Sequence, residues 1–128
     1  MLERDTFLLF FKNEIFEQIK ALKNNLDGKD LFPFINCVKE YELLNAKLND
    51  ETKEAICKIL YEILESYTHN VMVMFDNGTY LSDTFLIDII NAETRKSLTE
   101  SVDSTLHEDF IDIMLNEWIR ILLIKISF

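Results

Sequence analysis

Val71-Met72-Val73-Met74-Phe75-Asp76-Asn77-Gly78 is the stretch that decides how the chain is read. Its apolar run is unbroken from Val71 to Phe75, and β-branched Val recurs in it. Such a run fits a short buried strand. Asn77-Gly78 then favours the positive φ of a tight turn. The pattern predicts a strand over 71–75. Thr84-Phe85-Leu86-Ile87-Asp88-Ile89-Ile90 offers a partner strand, with Phe85, Ile87 and Ile89 on one side and Leu86, Asp88 and Ile90 on the other. A short helix over 82–91, capped by Ser82-Asp83, competes with it, and the β-branched residues favour the strand. The loop 76–83 is too long for a two-residue hairpin and predicts an extended or bulged turn.

Upstream the period is helical. Leu8, Phe11, Ile15, Ile19, Leu22 and Leu26 recur at steps of three and four and share one face of a helix over 5–26. Asp5 or Thr6 caps its start. Asp27-Gly28 closes it, because glycine adopts the left-handed conformation that ends a helix. A second helix is expected from about Asp30 to Asn49, with Pro33 in its first turn, where the missing N–H costs nothing. A third follows Asn49-Asp50, with Asp50 and Lys53-Glu54 as its start signal, short of a full capping box, and Ile56, Ile59 or Leu60, Ile63 and Tyr67 as its apolar stripe. Short links predict antiparallel neighbours, a three-helix N-terminal bundle.

Downstream, 91–105 is polar and reads as a surface connection, with a short strand around Lys96–Leu98 as an option. A last helix starts at Ser104 or Thr105. Phe110, Met114, Trp118 and Ile121 lie on one face; Ile111, Leu115 and Leu122 broaden it. Glu108 and Asp109 in its first turn, with Arg120 and Lys125 near its end, suit the helix dipole. The expected class is therefore α+β, mainly helical, in the order ααα-β-β-α, with a short antiparallel β element and a long C-terminal helix.

Composition bounds the rest. The chain has 128 residues, 48% apolar and 28% charged, so disorder and a multi-pass membrane protein are excluded. Two Gly and one Pro disfavour a many-stranded sandwich or barrel. One domain over 1–128 is expected. The run Phe7-Leu8-Leu9-Phe10-Phe11 is too short for a secretory signal, and Trp118–Phe128 is too short to span a bilayer. A cytoplasmic protein is the expectation, with Cys37 and Cys57 as free thiols inside the core. No Cys/His pattern calls for zinc, and no glycine-rich loop calls for a nucleotide, so no cofactor and no metal are expected.

Charge is the most informative feature. The chain carries 23 acids against 13 bases, net −10. Between Ile59 and Ile119 the balance is also −10, so the excess is localised. One account is solubility. The other is a negative surface, carried by Asp83, Asp88, Glu93, Glu100, Asp103, Glu108, Asp109, Asp112 and Glu117, that draws in a basic partner protein. Such a surface repels phosphates, which disfavours direct nucleic-acid binding.

Two histidines lie in the same acidic half. His69 sits near the end of the third helix and His107 at the start of the last; with Asp76 and Glu108 they make an acid/base or metal candidate. Their spacing matches no zinc motif. The leading expectation is a protein-binding module, such as an inhibitor of the immunity or antitoxin kind acting on a basic partner. That is an analogy of size and composition. The alternatives are a small enzyme using His69, Asp76, His107 and Glu108, or a homo-oligomeric structural protein, a homodimer through Ile119–Phe128.

Overall fold

A computed structural model describes residues 3–29, 36–76, 87–100 and 103–126, with side chains described as far as Asn116. Its elements are α1 (Glu3–Leu26), α2 (Val38–Lys47), α3 (Asp50–Phe75) and α4 (Leu106–Ile126). The α+β expectation is corrected: the described residues form an all-α arrangement with no strand. Val71–Phe75 continues α3 without a break. A helix already nucleated upstream adds residues cheaply, and Val costs it only a few tenths of a kcal/mol, roughly. Within the 71–75 run Met72 is fully buried while Met74 is half exposed, which is a helical outcome. Of the second strand candidate, 84–86 lies outside the described residues. Its remainder contributes one antiparallel bridge, Ile90 to Ser97, which also replaces the strand considered at Lys96–Leu98.

The helix ends follow local chemistry. At the end of α1, Gly28 has φ 74°, Lys29 N–H donates to the Asn24 carbonyl at 2.7 Å, and Gly28 N–H donates to that of Asn25 at 3.1 Å. These paired bonds satisfy carbonyls the helix leaves open. At the start of α3, Asn49 Oδ1 accepts the Thr52 N–H at 2.9 Å and Thr52 Oγ1 accepts the Asn49 N–H at 3.0 Å. That reciprocal pair, rather than Asp50, sets the helix start. The second helix is shorter than expected, because Asn36 and Cys37 form a turn before Val38. Its expected portion at 30–35 lies outside the described residues.

The chain divides into two compact units. The first comprises residues 1–12 and 65–128 and the second residues 13–64. In the second unit Ile15, Leu26 and Tyr61 are buried, and the Phe16 and Tyr61 rings meet at 5.8 Å. Lys53 reaches Asp27 at 3.3 Å and Asn45 at 3.0 Å, tying the start of α3 to the end of α1 and to α2. In the first unit the core is Leu8, Met72, Leu98, Leu106, Phe110 and Met114. Phe7 and Phe11 pack edge to face at 5.0 Å.

Two expectations about burial fail. Of the expected α3 stripe, Ile59, Ile63 and Tyr67 face outward, at 58%, 56% and 68% exposure, while Ile56 and the alternative Leu60 are half-buried. α3 carries apolar residues around more than half its circumference, and the buried arc takes Tyr61 and Met72 instead. Cys37 is exposed rather than a core residue, while Cys57 is half-buried; both are free thiols.

Candidate functional site

All four acid/base candidates lie in the first unit, and three of them, His69, Asp76 and His107, come together. Asp76 follows the last residue of α3, and its carboxylate is only 1% exposed. It accepts the Leu106 N–H at 2.9 Å through Oδ1 and the His107 N–H at 3.0 Å through Oδ2. Those are first-turn amides of α4, which have no intrahelical acceptor. Asp76 therefore caps α4 from 30 residues away in sequence, and its negative charge lies at the positive end of the helix dipole. The His107 ring adds a third contact, Nδ1 to Oδ2 at 2.5 Å. A carboxylate only accepts, so Nδ1 carries the proton and Nε2 is left as the basic nitrogen. The His69 ring stands edge-on to that of His107, with centroids 5.4 Å apart.

Glu108 has a different task. Its side chain accepts the Thr105 hydroxyl at 2.7 Å, and Thr105 Oγ1 accepts the Glu108 N–H at 3.4 Å. Thr105 is thus the side-chain cap of the Glu108 amide, and Glu108 holds the Thr105 hydroxyl in place. Among the described residues no three His, Cys, Asp or Glu side chains come together in a way that could hold a metal ion. What remains is a histidine–carboxylate pair with the second imidazole packed edge-on beside it.

Beside it is an open cleft of about 340 Å³, lined by Glu65, Ser66, His69 and Asn70 of α3 and by Phe110 and Ile111 of α4. The sequence reading missed it. The signal was present in α3, where Glu65 and His69, and Ser66 and Asn70, each stand four residues apart and so project from one side.

The acidic residues divide by role. Asp109 is paired with Arg4 at 3.1 Å, at side-chain exposures of 22% and 14%. Arg4 also donates to the carbonyls of Leu98 at 2.9 Å and Ser104 at 3.0 Å, and to that of Glu100. No sequence signal marked Arg4, which holds the approach to α4 from the first turn of α1. Asp88 accepts the hydroxyls of Ser97 at 2.5 Å and Thr99 at 2.7 Å. The two hydroxyls hold its carboxyl below the usual range. Glu93, Glu100, Asp103, Glu108 and Asp112 are exposed. Asp83 lies outside the described residues, and Glu117 is described only by its place in α4.

The loop carrying several of these acids is built locally. Asn91 Oδ1 accepts the N–H groups of Glu93 at 3.0 Å and Thr94 at 3.3 Å, and Arg95 turns the chain with φ 64°. Leu98 and Thr99 anchor its return, both buried.

No family model matches the chain, no curated protein resembles it in sequence, and no solved structure matches it. No helix among the described residues is long and apolar enough to cross a membrane.

Proposed function

We propose that this chain is a cytoplasmic protein-binding module whose acidic face docks a basic partner protein, in the manner of an immunity- or antitoxin-like inhibitor. The observation that supports it is the exposure of Glu93, Glu100, Asp103, Glu108 and Asp112 within one compact unit. Their charges face water rather than being spent on internal pairs as that of Asp109 is. Such a field accelerates encounter with a cationic surface and repels wrong partners.

The test is capture of native-cell proteins by the immobilised chain, at low and at raised salt, beside a variant carrying Glu100→Lys, Asp103→Lys and Asp112→Lys. A specific basic protein should be retained by the wild type, released by salt and lost with the triple variant. Exposed charges are screened within about 8 Å at physiological ionic strength, so the salt response should be steep. Retention indifferent to both salt and charge reversal would sink the reading and leave the acids as a solubility feature.

A second reading is an acid/base enzyme centred on His107. The contact between His107 Nδ1 and Asp76 Oδ2 at 2.5 Å favours it, since a carboxylate so placed orients an imidazole as a base. On that reading His107→Ala and His69→Ala abolish turnover while the charge-reversal variant keeps it. The docking reading has the opposite pattern.

A further inference from the structure

The cleft on the first unit continues into exposed apolar surface on both of its walls. On α3, Tyr67 and Met74 are 68% and 50% exposed and stand seven residues apart, on one side of the helix. Asn70 falls between them, three residues after Tyr67 and four before Met74, and it also lines the cleft. On α4, Ile111 lines the cleft at 37% exposure, and Leu115, one turn on, is 54% exposed. Large side chains left in water on two adjoining walls mark an interaction surface rather than scattered surface residues.

The rim identifies the occupant. Glu108 and Asp112 are exposed on α4 at helical spacing with Ile111 and Leu115, and Glu65 lines the cleft from α3. The α3 wall of the cleft itself is polar, with Glu65, Ser66, His69 and Asn70, so the exposed apolar pairs flank it: Ile111 with Leu115 on α4 and Tyr67 with Met74 on α3. The α4 pair edged by carboxylates complements a helix with an apolar stripe edged by Lys and Arg. A second copy fits poorly, because it brings the same acids and a net charge of −10. An anionic bilayer is repelled by the same rim.

We propose that the α4 side of this cleft seats one cationic amphipathic helix of the partner, with its apolar stripe against Ile111 and Leu115 and its basic residues against Glu108 and Asp112. This rests on the docking reading and deepens it: specificity comes from the apolar pattern, and the acids supply speed and orientation.

The experiment uses the full chain and a fluorescein-labelled synthetic peptide of Leu and Lys, about 18 residues or five turns, with Leu at helical spacing. A peptide of the same composition, with Leu scattered around the helix, is the control. Anisotropy titrations should give at least about tenfold tighter binding of the patterned peptide, the worth of roughly one well-buried apolar side chain. Ile111→Ser and Leu115→Ser should each weaken it about fivefold or more, by the same measure. Leu43→Ser, on the exposed side of α2 in the other unit, should leave it unchanged and serves as the folding-neutral comparison.

Equal affinity for the two peptides, reduced only by Asp112→Lys, would overturn the helix-seating proposal while the charge-docking reading survives. Failure of both peptides to bind would overturn it too, and the salt-dependent capture then decides the docking reading separately. Sedimentation showing a dimer that Leu115→Ser dissolves would replace the cationic helix with a second copy and overturn the proposal.

Discussion

Replacing Asp76 by Ala is the most searching perturbation of the first unit. The carboxylate serves two first-turn amides of α4 and the His107 ring, at 2.9, 3.0 and 2.5 Å. Loss of a capping oxygen alone costs about 1 kcal/mol. Here the Leu106 amide belongs to a fully buried residue, and a buried donor left without a partner costs about 1–3 kcal/mol. The sum for Asp76→Ala is then about 2–4 kcal/mol. With a urea slope of about 2 kcal/mol/M, the midpoint should fall by about 1–2 M with the slope unchanged. Asp76→Asn keeps one acceptor oxygen and should lose about half as much. His107→Ala keeps both backbone bonds and removes only the ring contact, so it should lose least, about 1 kcal/mol. The assay is urea unfolding followed by circular dichroism, with hydrogen exchange at the Leu106 and His107 amides as a local report. An Asp76→Ala midpoint within about 0.3 M of the wild type would refute the capping argument. So would a larger loss from His107→Ala than from Asp76→Ala.

Three further outcomes follow from other contacts. Arg4→Ala should destabilise the first unit by about 2–3 kcal/mol, and Arg4→Lys should recover only part, because the ammonium cannot reproduce the guanidinium fork that reaches Leu98, Ser104, Glu100 and Asp109; thermal unfolding of the two variants checks it. Burial pushes the Cys57 thiol up, with Asp27 and Glu54 adding to the rise and Lys23 opposing it. Iodoacetamide at mildly alkaline pH should therefore modify exposed Cys37 well before Cys57, as read by mass spectrometry of timed samples, and equal rates would contradict the assignment. For Cys57 the raised value also means that stability declines as pH climbs from the unfolded thiol's 9.0 toward the folded value, since only the unfolded chain then releases the proton. Asp88 has the opposite sign: its folded value is depressed, so its contribution is present above the ordinary 3.8 and disappears as pH falls through the folded value. Carboxyl carbon shifts should show Asp88 titrating below the ordinary 3.8, and Ser97→Ala with Thr99→Ala should return it to the ordinary range.

What the sequence determined by itself is what short-range chemistry controls. The buried face of α1 through Leu8, Ile15 and Leu26 follows from spacing along one helix. Its end at Gly28 follows from glycine's access to positive φ, realised at 74°. The burial of Phe110 and Met114 follows the same periodic rule. The start of α3 was also local, in the side chains of Asn49 and Thr52, although Asp50 drew the attention. Only the tertiary structure decided the remainder. Val71–Phe75 suits strand or helix by composition, and the helix reaching it from Asp50 settles the matter. α3 carries two apolar stripes, and which one turns inward depends on what packs against it, so Tyr67 ends exposed and Met72 buried. The acids illustrate the same division. Asp103 and Asp112 face water, Asp76 caps a helix 30 residues on, and Asp109 meets an arginine 105 residues away. A count of charges treats all four alike. Their separate roles arise from contacts between residues far apart in the chain, which no local pattern encodes.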